Sequence, residues 1–431
     1  MARILTLIPY APLPLRGGGA LRSFHMLRQL ARFHEVHAII FQREAELRTE
    51  QDGDKVPDSV RIYSPIDRPP PPSLFDHLPR RLGPGLLYRW LRRDRRGPAE
   101  GTLLRSHHLL GEVLLNHDID VVVFEHLSTM MAAPLVRRLS PRTLRILDAH
   151  NIDHLLGPRM AALAGASPSS DGQRGQRQIE WHEKHLACSV NAVWACSEED
   201  RAVLAALNRI PIEVIPNGVD LSSRPFDERS AKAAVAEILF VGSLNYPPNL
   251  DGLRWFVSEI WPRIRAARPD ARLTVIGRGG LAEDLAPVRT APAVDLIGEV
   301  PDVTPYYRRD GVFVCPLREG SGTRLKILES MALGNPVVST QIGAEGIQAE
   351  SGRDLLIADA PADFADAVLE LMADPGRFDH IRHQGRALVE AHYDWNLIGE
   401  WAAETILRWG EESAAGTARG LVSASTHSTR P

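Results

Sequence analysis

The chain has 431 residues, of which 44% are hydrophobic and 24% charged, as is typical of a globular protein able to build two or three cores. Its formal net charge of −4 gives no overall attraction for nucleic acid, so we expect no nucleic-acid partner. No run of ~18 apolar residues is present, which excludes a typical membrane-spanning helix.

The cysteines and the N-terminus both bear on the cellular compartment. Cys188, Cys196 and Cys315 are widely separated, odd in number and set among apolar residues. This pattern predicts buried free thiols in a reducing compartment and lacks the spacing of metal ligands. The N-terminus begins with a strand pattern and lacks the regions that make up a signal peptide. We therefore expect a cytoplasmic protein.

Short runs rich in Val, Ile and Leu alternate with helical patterns, which predicts parallel sheets covered by helices. In the first half the predicted strands are Arg3–Pro9, Glu35–Phe41, Val60–Ser64, Asp120–Glu125, Leu144–Asp148, Ala192–Ala195 and Glu213–Ile215. In the second half they are Ile238–Gly242, Arg272–Gly277, Val294–Gly298, Val312–Pro316, Pro336–Ser339 and Asp354–Ile357. The predicted class is therefore α/β, with two Rossmann-like doubly wound domains, 1–216 and 217–394.

Two segments interrupt or follow this alternation. Residues 66–97 form a predicted insertion with four consecutive prolines and eight arginines, interleaved with apolar residues such as Trp90. It is either a solvated surface loop, a basic patch that contacts anionic lipid, or a nucleic-acid contact that lacks a recognised module. A final helix, Trp395–Trp409, lies in the segment 395–411. The small, polar tail 412–431 predicts disorder.

Two strand ends in the first domain carry candidate site residues. Gly17-Gly18-Gly19 follows the first strand and precedes a predicted helix, Leu21–Arg32, without the G-x-G-x-x-G spacing of a dinucleotide-binding turn. It is either a flexible turn or a loop that lets a ligand approach the backbone. His150 follows the fifth strand, at an edge where α/β sheets place ligand-contacting groups; the alternative is a polar turn in which Asp148 caps the next helix.

One predicted helix, Gln173–Ala187, carries residue types that often bind metals. These are His182, Glu183 and His185, beside Trp181. No second group that would orient the histidines is apparent, so we predict no metal site.

The strongest functional pattern lies in residues 315–340. A strand leads into the loop Gly320-Ser321-Gly322, and a helix is predicted to open at Thr323 and end near Gly334. The backbone N–H groups of such a loop, together with the positive end of the helix dipole, favour a phosphate or diphosphate. The alternative is an ordinary helix start in an α/β domain.

Three charged residues of this helix extend the pattern. Arg324 and Lys326 fall in the predicted first turn, where the dipole disfavours cations unless an anion is near. Glu329 lies three residues beyond Lys326 on the same helix face, as an acceptor for sugar hydroxyls. The alternative is a surface ion pair between Lys326 and Glu329.

These residues resemble a known family. The order of a Gly-rich turn, the helix Leu325–Ala332, Gly334, Pro336-Val337-Val338 and then Ala344-Glu345-Gly346 is similar to the nucleotide-sugar-binding segment of the retaining family 4 glycosyltransferases of GT-B type. The G-S-G-T-R-L-K form of the loop resembles a subgroup. The sequence Ile215–Asp220, I-P-N-G-V-D, matches the boundary between the domains of that family.

The resemblance implies a GT-B fold, two Rossmann-like domains that face each other across a cleft, with the last helix returning to the first domain. It implies a hexosyltransferase that moves a sugar from a nucleoside-diphosphate sugar to a sugar, lipid-linked or small-molecule acceptor, with retention and without a cofactor or metal. Polysaccharide, glycolipid or glycoconjugate synthesis follows as the expected process. Contact with the inner membrane face through 66–97 stays one of the alternatives given above for that segment.

The resemblance also implies residue roles. His150 is expected next to the donor sugar, with Arg324 and Lys326 on the diphosphate, and these three are the expected catalytic residues. Glu329 is expected on the ribose. The full set of expected donor-binding residues is Gly18, Gly19, Ser243, Gly277, Gly298, Gly320, Ser321, Gly322, Thr323 and Glu329.

Two other hypotheses stay open, and one departure from the family pattern supports the second of them. The commonest family form has a second glutamate eight residues before the counterpart of Glu329, where this chain has Ser321; Glu319 lies nearby. The alternatives are a sugar-nucleotide epimerase and a catalytically weak subunit that binds nucleotide sugars for a partner.

Overall fold

The structure is a computed structural model that describes residues 1–15, 17–49, 54–67, 100–163, 170–226, 236–281, 283–309, 311–320 and 322–425. Ser321 and all but the first two residues of the predicted insertion 66–97 lie outside the described residues. The chain divides into two compact units. The first comprises Met1–Asp153, Gly172–Ile215 and the residues from Gly399 onward; the second comprises His154–Asp171 and Pro216–Ile398.

The first unit contains seven strands. They are β1 (Arg3–Ile8), β2 (Glu35–Ile40), β3 (Arg61–Tyr63), β4 (Val121–Glu125), β5 (Leu144–Ala149), β6 (Ala192–Ala195) and β7 (Ile212–Val214). All pairs are parallel, in the order β3-β2-β1-β4-β5-β6-β7, with Ile4 of β1 opposite Val36 on one side and Val121 on the other. The winding reverses between β1 and β4. Sheets of this kind bind ligands at the carboxyl ends of the strands beside that point.

Helices cover this sheet because each has one apolar face that must be buried. They are α1 (Gly18–Leu30), α2 (Glu44–Arg48), α3 (Glu100–Asn116), α4 (Ala133–Leu139), α6 (Ser170–Lys184) and α7 (Glu198–Leu207). Between α4 and α6 the chain forms α5 (Asp153–Leu163). Helix α5 continues from the first unit into the segment assigned to the second. Gly17 precedes α1 with φ +117°, a conformation that favours glycine, so the glycine loop turns directly into α1.

The second unit repeats the same strand order with six strands. They are β8 (Glu237–Val241), β9 (Arg272–Ile276), β10 (Val294–Gly298), β11 (Val312–Cys315), β12 (Val337–Ser339) and β13 (Leu356–Ile357). The sheet is parallel, in the order β10-β9-β8-β11-β12-β13, so its winding reverses between β8 and β11. The carboxyl ends of these two strands mark the expected ligand edge of this unit.

The helices of the second unit pack an apolar core that includes Phe256, Trp261 and Phe364. They are α8 (Pro247–Trp255), α9 (Trp261–Ala267), α10 (Ala286–Thr290), α11 (Thr304–Tyr307), α12 (Leu325–Ala332), α13 (Gln341–Ala344), α14 (Pro361–Ala373) and α15 (Pro375–His392). A π-helical turn, Phe256–Ile260, joins α8 to α9.

All thirteen predicted strands are present, and their ends differ from the predicted ends by at most two residues. The last helix, α16 (Trp395–Ser425), begins where predicted but is longer. Residues 412–425, which lie in the segment predicted to be disordered, continue this helix. Residues 426–431 lie outside the described residues.

Two local predictions need correction. Helix α12 begins at Leu325 and not at Thr323, because Arg324 has a ψ of 84° and therefore serves as the N-cap residue. Cys196 and Cys315 are buried free thiols as predicted, whereas Cys188 is exposed. Cys188 ends a short 3₁₀ turn at the surface, where its carbonyl accepts a hydrogen bond from the exposed Arg137.

Candidate active site

The carboxyl ends of β8, β9 and β10 form a continuous backbone surface in the second unit. Gly242 N donates to Ile276 O at 2.9 Å, and Gly277 N donates to Gly298 O at 2.9 Å. A Cβ atom at Gly277 would lie 1.9 Å from Gly242 O, so only glycine permits this approach. The predicted residues Gly277 and Gly298 therefore lie at one sheet edge, beside the loop that carries Ser243.

Lys326, in the first turn of α12, reaches this edge. Its Nζ donates to Asn249 Oδ1 at 2.6 Å and lies 5.1 Å from the centroid of the Phe240 ring. Asn249 Nδ2 donates in turn to Ser243 O at 2.9 Å. A Cβ atom at Gly242 would lie 3.1 Å from Nζ, so the absence of a side chain there leaves room for the ammonium.

The charge of Lys326 is not balanced within its surroundings. Burial lowers the pKa of its ammonium, and the positive charge of Arg324 lowers it further. Among the described residues, no carboxylate lies within the 4.0 Å ion-pair distance of Nζ. A half-buried cation without an anion is costly, so this position favours a ligand that brings negative charge.

Arg324 supports the preceding loop. Its Nη1 donates to Gly322 O and its Nη2 donates to Ile342 O at 3.4 Å, and the residue is only 6% exposed. Gly320 has φ +132°, and a Cβ atom there would lie 2.9 Å from Arg324 Nη2. The guanidinium therefore holds the loop in shape. It does not project from the first turn as the sequence predicts, because α12 begins at Leu325, two residues after the predicted start.

The N-terminus of α12 is open to a ligand. No side chain caps it, and its first turn holds no acidic residue. Thr323 Oγ1 is buried and has no hydrogen-bond partner among the described residues. The first N–H groups of the helix and its dipole thus act on the region of the Gly320–Thr323 loop, as an anion site requires.

Glu329 lies about one turn further along α12. Its Oε1 is 3.8 Å from Arg224 Nη2, and the two side chains are each 25% exposed. Burial raises the pKa of Glu329, while Arg224 opposes the rise. Tyr307 Oη is buried without a hydrogen-bond partner among the described residues, and burial followed by the charge of Glu329 raises its pKa. Glu329 thus has a cation beside it and an accessible edge.

In the first unit, the carboxyl ends of β1, β4 and β5 gather a second group of side chains. Helix α1 contributes two more, and all of them except Tyr10 are buried. We call this group the inner polar cluster: Tyr10, Arg22, Ser23, Glu125, Asp148 and His150.

An ion pair holds one side of the inner polar cluster. Arg22 Nε lies 3.0 Å from both carboxylate oxygens of Asp148, and Arg22 Nη2 donates to Oδ1 at 2.6 Å. Burial alone would raise the pKa of Asp148, but the charge of Arg22 lowers it to about 2. Burial raises the pKa of Glu125 to about 8, and the charge of Asp148 adds to that rise. Arg22 is therefore the cation that lowers the pKa of both buried carboxyl groups, and only Asp148 contacts it directly.

His150 lies within this cluster. Its Nδ1 is 3.1 Å from Tyr10 Oη, and its Nε2 is 3.6 Å from Asp148 Oδ2 and 3.9 Å from Glu125 Oε2. Burial lowers the pKa of His150, which favours the neutral imidazole. A Cβ atom at Gly19 would lie 3.0 Å from Tyr10 Oη and 3.7 Å from His150 Nδ1. The structure thus brings the predicted Gly19 and His150 together, with Gly18 beginning α1.

The ring nitrogens of His150 point into the cluster. Nδ1 pairs with Tyr10, and Nε2 is buried without a hydrogen-bond partner among the described residues. The expected contact between an imidazole nitrogen and a sugar hydroxyl remains a prediction.

Several residues of both groups escape the sequence analysis. Asn249, Arg224, Tyr10, Ser23 and Glu125 belong to no motif, and each acquires its partner from a distant part of the chain. The only sequence signal is their position at or just after a predicted strand or helix end. That signal is shared by many residues without a role.

The sequence predicts neither a metal site nor a membrane-spanning helix, and the structure bears on both predictions only for the residues that it describes. Within them, no group of three or more His, Cys, Asp or Glu side chains is arranged to hold a metal ion. Glu183 accepts a hydrogen bond from Asp153 N at 2.7 Å, and His185 stacks on Trp181 with ring centroids 4.4 Å apart. In the same part of the chain, no helix has both the length and the hydropathy needed to cross a membrane.

Two family models match the chain. The model described as Glycosyltransferase Family 4 matches residues 16–223, and the model described as Glycosyl transferases group 1 matches residues 236–374. The chain belongs to the family 4 group of glycosyltransferases. This confirms the resemblance seen in the sequence, whereas the donor-loop subgroup remains a prediction.

Relatives of known name agree with this assignment. Over 237 residues the glycosyltransferase chain is 30% identical to the lipopolysaccharide core biosynthesis mannosyltransferase LpsB of Rhizobium meliloti, a match that covers 51% of this chain and 66% of LpsB. It is 26% identical over 244 residues to the glycogen synthase of Mycobacterium tuberculosis, over 54% of this chain and 57% of that protein. Across four curated relatives, the matches span 42% to 66% of their length.

Solved structures show the fold. Sucrose-phosphate synthase from Thermosynechococcus elongatus superposes with a TM-score of 0.68 at 16% identity, over 94% of this chain and 99% of that one. HepE of Anabaena in complex with UDP superposes with a TM-score of 0.65 at 14% identity, over 94% and 100%. The predicted α/β class and GT-B fold are thereby confirmed.

Proposed function

We propose that this family 4 member transfers a hexose-type sugar from a nucleoside-diphosphate sugar to an acceptor hydroxyl, with retention of the anomeric configuration. The acceptor is a sugar, a lipid-linked saccharide or a small molecule, and the product belongs to a polysaccharide, a glycolipid or another glycoconjugate. The mannosyltransferase and glycogen synthase among the relatives support this class of reaction. UDP in the HepE complex supports the class of donor.

The observation that carries the proposal is the position of Lys326. Its ammonium lies at the carboxyl edge of the second sheet, held by Asn249 and next to the backbone of Gly242. The N-terminus of α12 acts on the same region without a capping side chain. A diphosphate would supply the negative charge that both features favour.

The chemistry follows from this arrangement. Breaking the bond between the sugar and the diphosphate leaves negative charge on the diphosphate, and Lys326 together with the α12 N-terminus stabilises that charge. A preorganised donor of this kind is worth roughly 10²–10³ in rate. Arg324 contributes through the shape of the Gly320–Gly322 loop, and the carboxylate of Glu329 accepts hydrogen bonds from the ribose hydroxyls.

The experiment that tests the proposal offers the full chain a panel of UDP-, GDP- and dTDP-sugars and measures the melting temperature. A donor that binds the folded state raises the melting temperature, so one nucleotide class should stabilise the protein. The stabilising donor is then incubated with and without extracts that contain candidate acceptors, and the product anomer is assigned by NMR. Acceptor-dependent release of the nucleoside diphosphate with a retained anomer is the expected result.

The other outcomes decide between the remaining hypotheses. Epimerised nucleotide sugar formed without an acceptor would replace the proposal with an epimerase. Donor binding without turnover for any acceptor would replace it with a binding subunit. No stabilisation by any nucleotide sugar would overturn the donor assignment. Vesicles of anionic lipid added to the binding assay test the hypothesis that residues 66–97 contact a membrane.

A further inference from the structure

A chain of three hydrogen bonds crosses the inner polar cluster. It runs from the Glu125 carboxyl group to Ser23 Oγ, from Ser23 Oγ to Tyr10 Oη over 3.0 Å, and from Tyr10 Oη to His150 Nδ1 over 3.1 Å. Each hydroxyl in the chain has a single proton to donate. All three bonds must therefore point in the same direction. Ser23 donates to Glu125 Oε2 when that oxygen carries no proton, and Glu125 donates to Ser23 when Oε2 is protonated.

The two directions have opposite consequences for His150. If Glu125 is protonated on Oε2, the oxygen that contacts Ser23, it donates to Ser23, Ser23 donates to Tyr10, and Tyr10 donates to Nδ1 of His150. The proton of the neutral imidazole then lies on Nε2, which faces Asp148 Oδ2 at 3.6 Å. If Glu125 is ionised, every donor reverses and the imidazole proton lies on Nδ1. The lone pair of Nε2 then faces two carboxylates, at 3.6 Å and 3.9 Å.

The charges around the cluster favour the first direction. Arg22 is already engaged in bidentate contact with Asp148, and no other Lys or Arg of the described residues pairs with Glu125. Glu125 is 1% exposed, and an unpaired charge at such a depth is costly. The ionised form would also leave the Nε2 lone pair of His150 opposed to like charge.

We propose that Glu125 is a positioning residue that works in its protonated form: through Ser23 and Tyr10 it holds His150 as the Nε2–H tautomer beneath Gly19. Ionisation of Glu125 reverses the chain and moves the proton of His150 to Nδ1. His150 therefore reports and follows the protonation of a carboxyl group three hydrogen bonds away. The effect of this switch on sugar transfer rests on the proposed function, whereas the tautomer itself does not.

The groups that face Glu125 are consistent with a switch in the alkaline range. Ser23 and Arg22 face it from α1, and Asp148 and His150 face it from the end of β5. Burial and the charge of Asp148 raise the pKa of Glu125 to about 8, while Ser23 and Arg22 oppose the rise. The hydrogen-bond chain is therefore expected to reverse its direction as the pH passes through about 8.

The test is ¹⁵N NMR of the full chain with ¹⁵N-labelled histidine, which distinguishes the two imidazole tautomers. The His150 signal is assigned by its loss in His150→Gln. In the wild type, His150 should be the Nε2–H tautomer below pH 8 and the Nδ1–H tautomer above it. In Glu125→Gln, which cannot ionise, and in Ser23→Ala, which breaks the chain, the tautomer should no longer change with pH.

A control variant and two contrary outcomes complete the NMR test. Tyr63→Phe alters another histidine contact of the first unit, the 2.9 Å bond to His37, and should leave the titration of His150 unchanged. A wild-type His150 tautomer that stays the same across pH 8 would overturn the proposal. So would a pH-dependent change that persists in Glu125→Gln. If Glu125→Gln does not fold, Ser23→Ala and Tyr10→Phe decide the question.

Sugar transfer provides the second arm. Glu125→Gln should retain activity below pH 8, because an amide reproduces the neutral carboxyl, and it should lose any fall in kcat above pH 8 that the wild type shows. Loss of activity at every pH in a folded Glu125→Gln protein would contradict a protonated role. If no sugar is transferred from any donor, but the His150 tautomer still changes with the protonation of Glu125, the proposed function fails and the positioning role stands.

Discussion

Lys326 is unusual in this chain at the level of single residues. Only four of the 50 basic residues are lysines, namely Lys55, Lys184, Lys232 and Lys326. The ammonium at 326 lies next to Asn249 and to the backbone at Gly242. Lysine supplies a compact point charge with three donors, whereas arginine would supply a larger planar group.

Glu329 should contribute to the binding of the ribose and not to the binding of the diphosphate. In Glu329→Gln the ribose loses a charged acceptor, and a hydrogen bond to a charged group is worth about 1.5–3 kcal/mol. We expect the affinity for the cognate nucleoside diphosphate to fall by about 10- to 100-fold. Affinity for inorganic pyrophosphate should stay unchanged. Titration calorimetry with both ligands checks this, and an equal loss for both would remove Glu329 from the ribose site.

Gly242 should matter for the same site through space alone. A Cβ atom there would lie 2.8 Å from Asn249 Nδ2 and 3.1 Å from Lys326 Nζ, so Gly242→Ala must displace one of them. We expect donor affinity to fall about tenfold, or about 1.4 kcal/mol, by calorimetry. Gly410→Ala, where a Cβ atom meets nothing within 4 Å, is the matched control. Unchanged affinity in Gly242→Ala would show that the ammonium position is not critical.

The raised pKa of Glu125 should also make the free energy of unfolding depend on pH. Its ordinary pKa of 4.5 applies in the unfolded chain, and burial raises the folded value to about 8. Because the folded value is the higher one, the folded state holds this proton more tightly. The wild type should therefore lose stability relative to Glu125→Gln as pH rises from about 4.5 to about 8, and the difference should then level off. Urea unfolding at several pH values measures it, and a difference that is constant with pH would indicate an unperturbed carboxyl group.

At the scale of elements, the strands could be predicted because buried parallel strands have a simple sequence pattern. Each is a short apolar run bounded by turn residues, and the thirteen runs match the thirteen strands. The start of α12 was missed because it depends on one backbone angle. Arg324 leaves the helical region at ψ 84° while its side chain binds two carbonyls, and composition does not encode that geometry.

The contact between α1 and the end of β5 rests on the ion pair of Arg22 and Asp148. In Arg22→Met the Asp148 carboxylate stays buried without its cation, which costs about 3–5 kcal/mol. We expect the free energy of unfolding to fall by that amount in urea denaturation. Arg28→Met, at an exposed position of the same helix, should change it by less than about 0.5 kcal/mol.

The double variant Arg22→Met, Asp148→Leu separates the two causes of such a loss. If the cost of Arg22→Met comes from the unpaired charge, removing the carboxylate as well should restore most of the stability. A double variant that is as unstable as Arg22→Met would show instead that the packing of Arg22 matters more than its charge.

At the scale of the whole molecule, strand order decides where the chemistry lies. Each unit reverses its winding beside its first strand, β1 or β8, and each gathers polar side chains at the carboxyl edge beside that reversal. The glycines, His150 and Lys326 were found from the sequence because they follow predicted strands or open a predicted helix. Asn249, Arg224 and Glu125 were not, since their partners come from other strands and helices and only the folded chain brings them together.

The central claim is that Lys326 binds the diphosphate of a nucleotide-sugar donor. Calorimetric titration of the full chain with UDP, GDP and dTDP tests it most directly, with Lys326→Ala as the variant. Lys184→Ala is the control, because Lys184 lies on α6 and pairs with Glu180 at 2.7 Å. We predict that one nucleotide binds the wild type and Lys184→Ala equally, and that Lys326→Ala binds it at least tenfold more weakly. Equal binding to all three proteins would contradict the account.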